Sequence, residues 1–226
     1  KKNKKKKKQI NLPVNFLLYR KKRKDRDYLK KKKVIFLLPH AETKPLRLVD
    51  GLFCSEVLEG VEKWSNFYKN LDPDIKDNIL WRLGPFKDQW NVIEKLKNNL
   101  GNIQVSNKKS FVEDINNAKV SIHVDLQTTF LETMFMNIPS FILYNNNFWN
   151  VSNKGKSIIK KLKEIKILFY NSNDLSRHIN KNYFNIQSWW ESKLVKNARL
   201  SFLNYSGIID QNAARLKWIE YLKNLE

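Results

Sequence analysis

At 226 residues, 42% of them hydrophobic and 12% aromatic, the chain can bury a sizeable core as one large α/β domain or two small ones, which excludes general disorder. Its single cysteine, Cys54, excludes an internal disulfide framework and fits a reducing compartment. The formal charge of +21 is lopsided: residues 1–33 hold 17 Lys/Arg against 2 Asp, a net of +15, so most of the excess belongs to one tail.

Residues 1–9, KKNKKKKKQ, are low in complexity and read as disordered through self-repulsion. Residues 10–33 carry one short apolar cluster followed by charge and read as a linker, so 1–33 is taken as a basic tail and 34–226 as the folded domain. Such a tail attracts polyanions, whether nucleic acid, anionic lipid or acidic polysaccharide; the alternative is a solvated linker with no partner. No apolar run approaches the roughly 20 residues of a membrane span. The single cysteine fits a cytoplasmic chain, which is the expectation, with peripheral attachment at the inner face of the membrane open to it through the tail.

From Val34 the pattern changes. VIFLLPH (34–40) is a continuous apolar run, the mark of a buried parallel strand. Ser55 caps a predicted helix carrying Val57, Leu58, Val61, Trp64, Phe67 and Tyr68, ended by Asp72-Pro73-Asp74. NILWRLGP (78–85) reads as a strand and DQWNVIEKLKNNLG (88–101) as an amphipathic helix stopped at Gly101. IQVS (103–106) is a short strand, and Ser110 with Glu113 forms a capping box for the next helix. VSIHV (120–124), a helix over TTFLETMFMN (128–137), PSFILYN (139–145), a basic helix over 153–164 and ILFY (167–170) follow, then helices near 173–182, 186–204 and 209–225. This alternation predicts βαβ units: a Rossmann-like, doubly wound parallel sheet of about six strands with C-terminal helices.

Open α/β sheets bind ligands beyond the carboxyl ends of their strands. The turn from VSIHV into TTFLET puts His123, Asp125, Gln127, Thr128 and Thr129 there. The unpaired N–H groups of a helix start and two threonine hydroxyls suit a phosphate. Glu132, one turn on, could accept both hydroxyls of a vicinal diol such as a ribose; alternatively Thr129-x-x-Glu132 is a capping box and binds nothing. Arg82, inside an apolar strand, either reaches a phosphate or is paired internally with an acid. Asn145, Asn146, Asn147 and Trp149 follow the next strand and suit a base or sugar, or form a polar turn. His123 is a ligand contact or a satisfied core histidine. The three histidines and one cysteine show no metal-ligand spacing, and no Walker A, G-x-G-x-x-G or G-x-S-x-G motif occurs.

The succession ILWRLGPFKDQW, TTFLET…NIPSFILYNNNFW and QSWWESKLVKNAR resembles the C-terminal domain of the leptospiral-type transferases, a family linked to surface-carbohydrate biosynthesis, over about Lys33 to Tyr205. The T-T-F-L-E-T…N-I-P block is the most specific part, and Trp189-Trp190 the second. The resemblance implies one half of a GT-B glycosyltransferase-like architecture, the donor-binding half, with Thr128, Thr129 and Glu132 holding the phosphates and ribose of a nucleotide-sugar. Arg82 would neutralise the diphosphate, no metal or other cofactor would be needed, and a glycan would be the acceptor. It implicates no catalytic residue in this chain; the acceptor site and base would belong to an N-terminal domain, which residues 1–33 are too short and too charged to supply. The chain departs from the family pattern at Leu83-Gly84-Pro85, at Asn146 to Val151 and at Met134-Phe135-Met136. Two other readings compete. One is a polyanion-binding module, with anionic membrane favoured over nucleic acid because no nucleic-acid motif is present. The other is an inactive Rossmann-like remnant.

Overall fold

The computed structural model describes residues 13–14, 31–39, 54–84, 88, 90–145, 151–207 and 210–224. Five parallel strands form one sheet: β1 (Lys33–Leu37), β2 (Ile79–Arg82), β3 (Ala118–His123), β4 (Ser140–Leu143) and β5 (Leu168–Phe169), in the order β2-β1-β3-β4-β5. Ten α-helices among the described residues connect or follow them: α1 (Cys54–Lys69), α2 (Pro73–Lys76), α3 (Val92–Leu100), α4 (Phe111–Asn116), α5 (Thr128–Phe135), α6 (Asn153–Glu164), α7 (Ser172–Asn182), α8 (Ile186–Trp190), α9 (Lys193–Tyr205) and α10 (Gln211–Lys223). The expected Rossmann-like doubly wound sheet with C-terminal helices is thus present.

The predicted strand at 103–106 is reduced to a single parallel bridge, Trp81 to Val105, closed by Trp81 N–H to the Gln104 carbonyl (2.9 Å) and Ser106 N–H to the Trp81 carbonyl (2.8 Å). Beyond it the chain turns away because the Ser106 hydroxyl is drawn to Asp114. Counted as a rudimentary strand, it completes the order 3-2-1-4-5-6, that of doubly wound nucleotide-binding sheets.

Strand alternation sends side chains to two cores. Val34, Phe36, Val120, Ile122, Phe141 and Leu143 pack under α1, α3 and α7; Ile35, Leu37, Ile142 and Leu168 pack under α5, α6 and α9. Phe36 lies 4.6 Å from Trp81, centroid to centroid, at the centre of the first.

Helix ends follow local chemistry. The Asp88 carboxylate accepts the N–H groups of Val92 (2.9 Å) and Ile93 (3.0 Å), starting α3 later than its apolar pattern suggests. Asp72-Pro73-Asp74, read as a stop, instead opens the short helix α2, since proline's fixed φ suits a first turn. The predicted helix 186–204 breaks in two at Ser192, the N-cap of α9. Ser110 caps α4 as expected, accepting the Val112 N–H at 3.2 Å. The tail, apart from residues 13–14 and 31–33, and also His40, lie outside the described residues.

Candidate functional site

The sheet order fixes where a crevice opens. β1 and β3 are neighbours, yet β1 leads to α1 on one face while β3 leads to α5 on the other. Their carboxyl ends therefore part at a topological switch point, where doubly wound sheets take ligands. The β3 side of that opening is His123-Val124-Asp125-Leu126-Gln127, followed at once by α5.

The N-terminus of α5 is built without a side-chain cap. Gln127, the N-cap, is extended (φ −84°, ψ −174°), and its side chain bonds no backbone N–H of the helix. Its carbonyl accepts from Phe130 (3.1 Å) and Leu131 (3.3 Å), and its own N–H is taken by Asp125 Oδ1 (3.2 Å). Gln127 and Thr128 are exposed and Thr129 is half-buried. The N–H groups of Thr128 and Thr129 begin the helix, at its partially positive end, while that of Phe130 is taken by the Gln127 carbonyl. Because Thr128 is already helical, Glu132 occupies the fifth helical position, not the third, and Thr129 is not the N-cap. The capping-box alternative therefore fails on register. Glu132 is buried, on Thr128's face one turn in, and is engaged within the chain.

Asp125 was named in the sequence only as part of the turn. Burial pushes its carboxyl up to about 6, against the pull of the Gln127 N–H. At ordinary cellular pH it is a carboxyl within reach of its proton, next to an electropositive helix end. Strand alternation does not reach it, because β3 ends at His123 and Asp125 lies in the bend that follows.

His123 is a core residue. It is 1% exposed, and burial pulls its imidazole down to about 3. Ser121 Oγ donates to Ser140 Oγ (2.9 Å), Ser140 Oγ to Thr133 Oγ1 (2.9 Å), and Thr133 Oγ1 to the Phe130 carbonyl (3.0 Å). His123 Nε2 lies 3.1 Å from both Ser121 Oγ and Thr133 Oγ1, and Ser140 Oγ is also held by the Ile138 carbonyl at 2.7 Å. His123 Nδ1 has no partner among the described residues. The group ties β3, α5 and β4 together, and its burial makes His123 the satisfied core histidine of the two alternatives and not the ligand contact.

Arg82 is likewise turned inward. It is 6% exposed and forms a buried ion pair with Asp114 of α4, with further bonds to Ser106 Oγ (3.2 Å) and the carbonyls of Lys108 (3.1 Å) and Lys109 (3.4 Å). Desolvating a guanidinium is costly, and an acid with several carbonyls offsets it. The internal pair is therefore the reading the geometry carries, and not a cation held out to phosphate. Arg82 also lies two strands from β3, roughly 10 Å across the sheet. Asn145, just past β4, donates to Glu59 Oε1 of α1 (3.0 Å), which also pairs with Lys63 (2.9 Å). Trp149, Asn146 and Asn147 lie outside the described residues. The residues that meet at one opening are thus Gln127, Thr128, Thr129 and, one turn in, Glu132, with Asp125 beside them.

The other end of α5 explains the remaining motif residues. Asn137 adopts the left-handed conformation (φ 61°), with its N–H bonded to the Met134 carbonyl (3.2 Å) and that of Ile138 to the Thr133 carbonyl (3.0 Å), a Schellman ending. Its Oδ1 accepts both Trp190 Nε1 (3.0 Å) and Arg199 Nη1 (2.8 Å). Arg199 lies 4.0 Å over the Trp190 ring and also bonds the Trp190 carbonyl (3.0 Å) and Glu191 (3.3 Å). The N-I-P block and the W-W helix, far apart in sequence, are one knot.

A family model for the LIC12162 family of transferases matches residues 1–222. The chain belongs to the LIC12162 transferase family. Among solved structures, a candidate UDP-N-acetylglucosamine 2-epimerase from Listeria monocytogenes is similar at 12% identity and a TM-score of 0.47, over 88% of this chain and 47% of that one. The LIC12162-family chain thus spans about half the length of that protein. No curated protein matches. Among the described residues of this transferase-family chain, no group of three or more His, Cys, Asp or Glu is disposed to hold a metal ion, and no helix is long and apolar enough to cross a membrane.

Proposed function

We propose that the chain is the donor-binding half of a nucleotide-sugar-dependent glycosyltransferase of GT-B type, acting in cell-surface polysaccharide synthesis with a glycan acceptor. The observation that carries this reading is the uncapped start of α5 at the switch point, where Gln127, Thr128 and Thr129 are presented and Glu132 lies one turn in. The helix start and threonine hydroxyls would receive the diphosphate, and Glu132 the ribose hydroxyls. In the reaction the bond between the sugar's anomeric carbon and the diphosphate oxygen breaks as an acceptor hydroxyl attacks that carbon. The bond's electrons leave with the diphosphate, whose charge the helix end stabilises. The acceptor's proton goes to a base outside the residues assigned here. Arg82 has no part in this reading, since Asp114 already neutralises it.

Calorimetric titration with UDP, GDP, CMP and ADP, at two salt concentrations, tests it. One nucleotide should bind in preference to the others with little salt dependence, and Thr128→Val with Glu132→Gln should weaken it about tenfold or more. Equal, salt-steep binding of all four, unchanged in the variants, would mean that the lysines alone attract them.

A further inference from the structure

Helix α10 is apolar on two sides. Ala214, Trp218 and Tyr221, spaced i, i+4, i+7, face the protein: Ala214 is fully buried and Trp218 Nε1 donates to the Pro13 carbonyl at 3.0 Å. Leu216, Ile219 and Leu222, spaced i, i+3, i+6, form an exposed ridge running from the far side of the helix towards its flank, 67%, 40% and 55% exposed. Scattered exposed leucines need no explanation, but a helix apolar on both sides buries both where it can. Arg215 and Lys223 flank this outer strip, at helical spacings that put them on its edges.

The neighbouring helices add an excess of positive charge, with Glu164 at the end of α6 the one acid they expose. α6, α9 and α10 all pack on the same side of the sheet, through Ile159 and Leu162, Val195 and Phe202, and Ala214. α9 contains no acidic residue and exposes Lys193 and Lys196, the second of them 3.6 Å from Glu191, beside Leu194, which is 71% exposed. α6 exposes Lys156, Lys160, Lys161 and Lys163. This outer layer therefore combines protruding aliphatic side chains with a cationic ground.

We propose that the outer face of α10, together with the lysines that α6 and α9 expose on the same side of the sheet, rests on an anionic phospholipid bilayer. The pairing of aliphatic groups at acyl-chain depth with lysines at headgroup level is what an interfacial surface needs. A second copy is a poorer occupant, because a two-fold contact would set this cationic face against itself. Nucleic acid would satisfy the lysines but gives Leu216, Ile219 and Leu222 nothing apolar to enter. The inference is independent of the nucleotide reading.

The test is co-sedimentation of the full chain with vesicles of phosphatidylcholine, alone and mixed with phosphatidylglycerol. The chain should bind the anionic vesicles, and a Leu216→Ser, Ile219→Ser, Leu222→Ser variant, which keeps every charge including the tail, should partition roughly ten- to a hundredfold less. Lys193→Glu with Lys196→Glu should also reduce binding, with circular dichroism verifying that both variants are folded. Undiminished binding by the triple variant would assign attachment to the N-terminal lysines alone and overturn the proposal. So would absence of vesicle binding, or light scattering showing a dimer that the triple variant abolishes without any effect on lipid.

Discussion

The two ends of α5 are opposites. At its C-terminus the motif residues bond one another: the left-handed Asn137 closes the backbone, and its side chain accepts from Trp190 and Arg199. At its N-terminus Gln127 caps nothing with its side chain, and exposed threonine follows. One short helix thus separates two kinds of motif residue. Those whose hydrogen bonds close within the protein build the fold, and those whose partners are missing are where a ligand would gain most.

Breaking the closed end should have the largest effect. Asn137→Ala leaves the Trp190 N–H and the Arg199 guanidinium short of their shared acceptor and puts a Cβ-bearing residue without a polar side chain at positive φ. It should cost about 3 kcal/mol or more in urea denaturation. Asn137→Gly should recover only about 1 kcal/mol of that, because it relieves the backbone and restores no acceptor. If both variants are as stable as the parent, the knot is incidental.

Acid should reveal the middle of the helix, where Thr133 meets His123. A histidine held at about 3 when folded and near 6.5 when unfolded binds fewer protons in the native state between those values. Stability should therefore be fully present above pH 6.5 and fall as the pH drops towards 3. From pH 6.5 to 4.5, His123 should account for about 2–3 kcal/mol of loss. His178, pulled down to about 4 chiefly by burial, adds to the same trend. Asp125 opposes it: raised to about 6, its carboxyl favours the folded state below pH 3.8, an advantage lost as pH rises to 6. Measured by urea denaturation across this range, His123→Gln should flatten the acid slope and Asp125→Asn should steepen it. Identical slopes in all three proteins would mean that neither group is desolvated.

This contrast also shows what a sequence carries. The sheet was legible because strands such as β1 and β4 are largely apolar runs and most connecting helices carry an apolar face, signals confined to a few residues. The partners of single polar groups were not. Arg82 read as a possible phosphate ligand because the acid that neutralises it, Asp114, is 32 residues away on another element. His123 stayed open between a ligand contact and a core histidine because the hydroxyls around it come from β3, α5 and β4 and meet only in the folded chain. At Thr129 and Glu132 the capping-box pattern was present in sequence, but the helix begins before it. Local pattern identifies elements; it does not say which polar residues are already satisfied, and that distinction decides which of them remain for a ligand.

The smallest effect expected on the fold bears most directly on the open end. Gln127 has the extended backbone of an N-cap and a side chain that does not serve as one. Gln127→Asp supplies an acceptor for the first-turn N–H groups and a negative charge beside the helix dipole, so it should raise stability by about 0.5–1 kcal/mol. The same carboxylate would occupy the groups proposed for phosphate and repel the anion, so nucleotide affinity should fall while the melting temperature rises. Gln127→Ser separates the two contributions, giving the cap without the charge and a smaller loss of affinity. A stabilised protein with undiminished nucleotide binding would place the phosphates elsewhere on the sheet. A gain in stability coupled to a loss of binding would mean that the missing cap is the site itself, left open for a ligand that completes the helix.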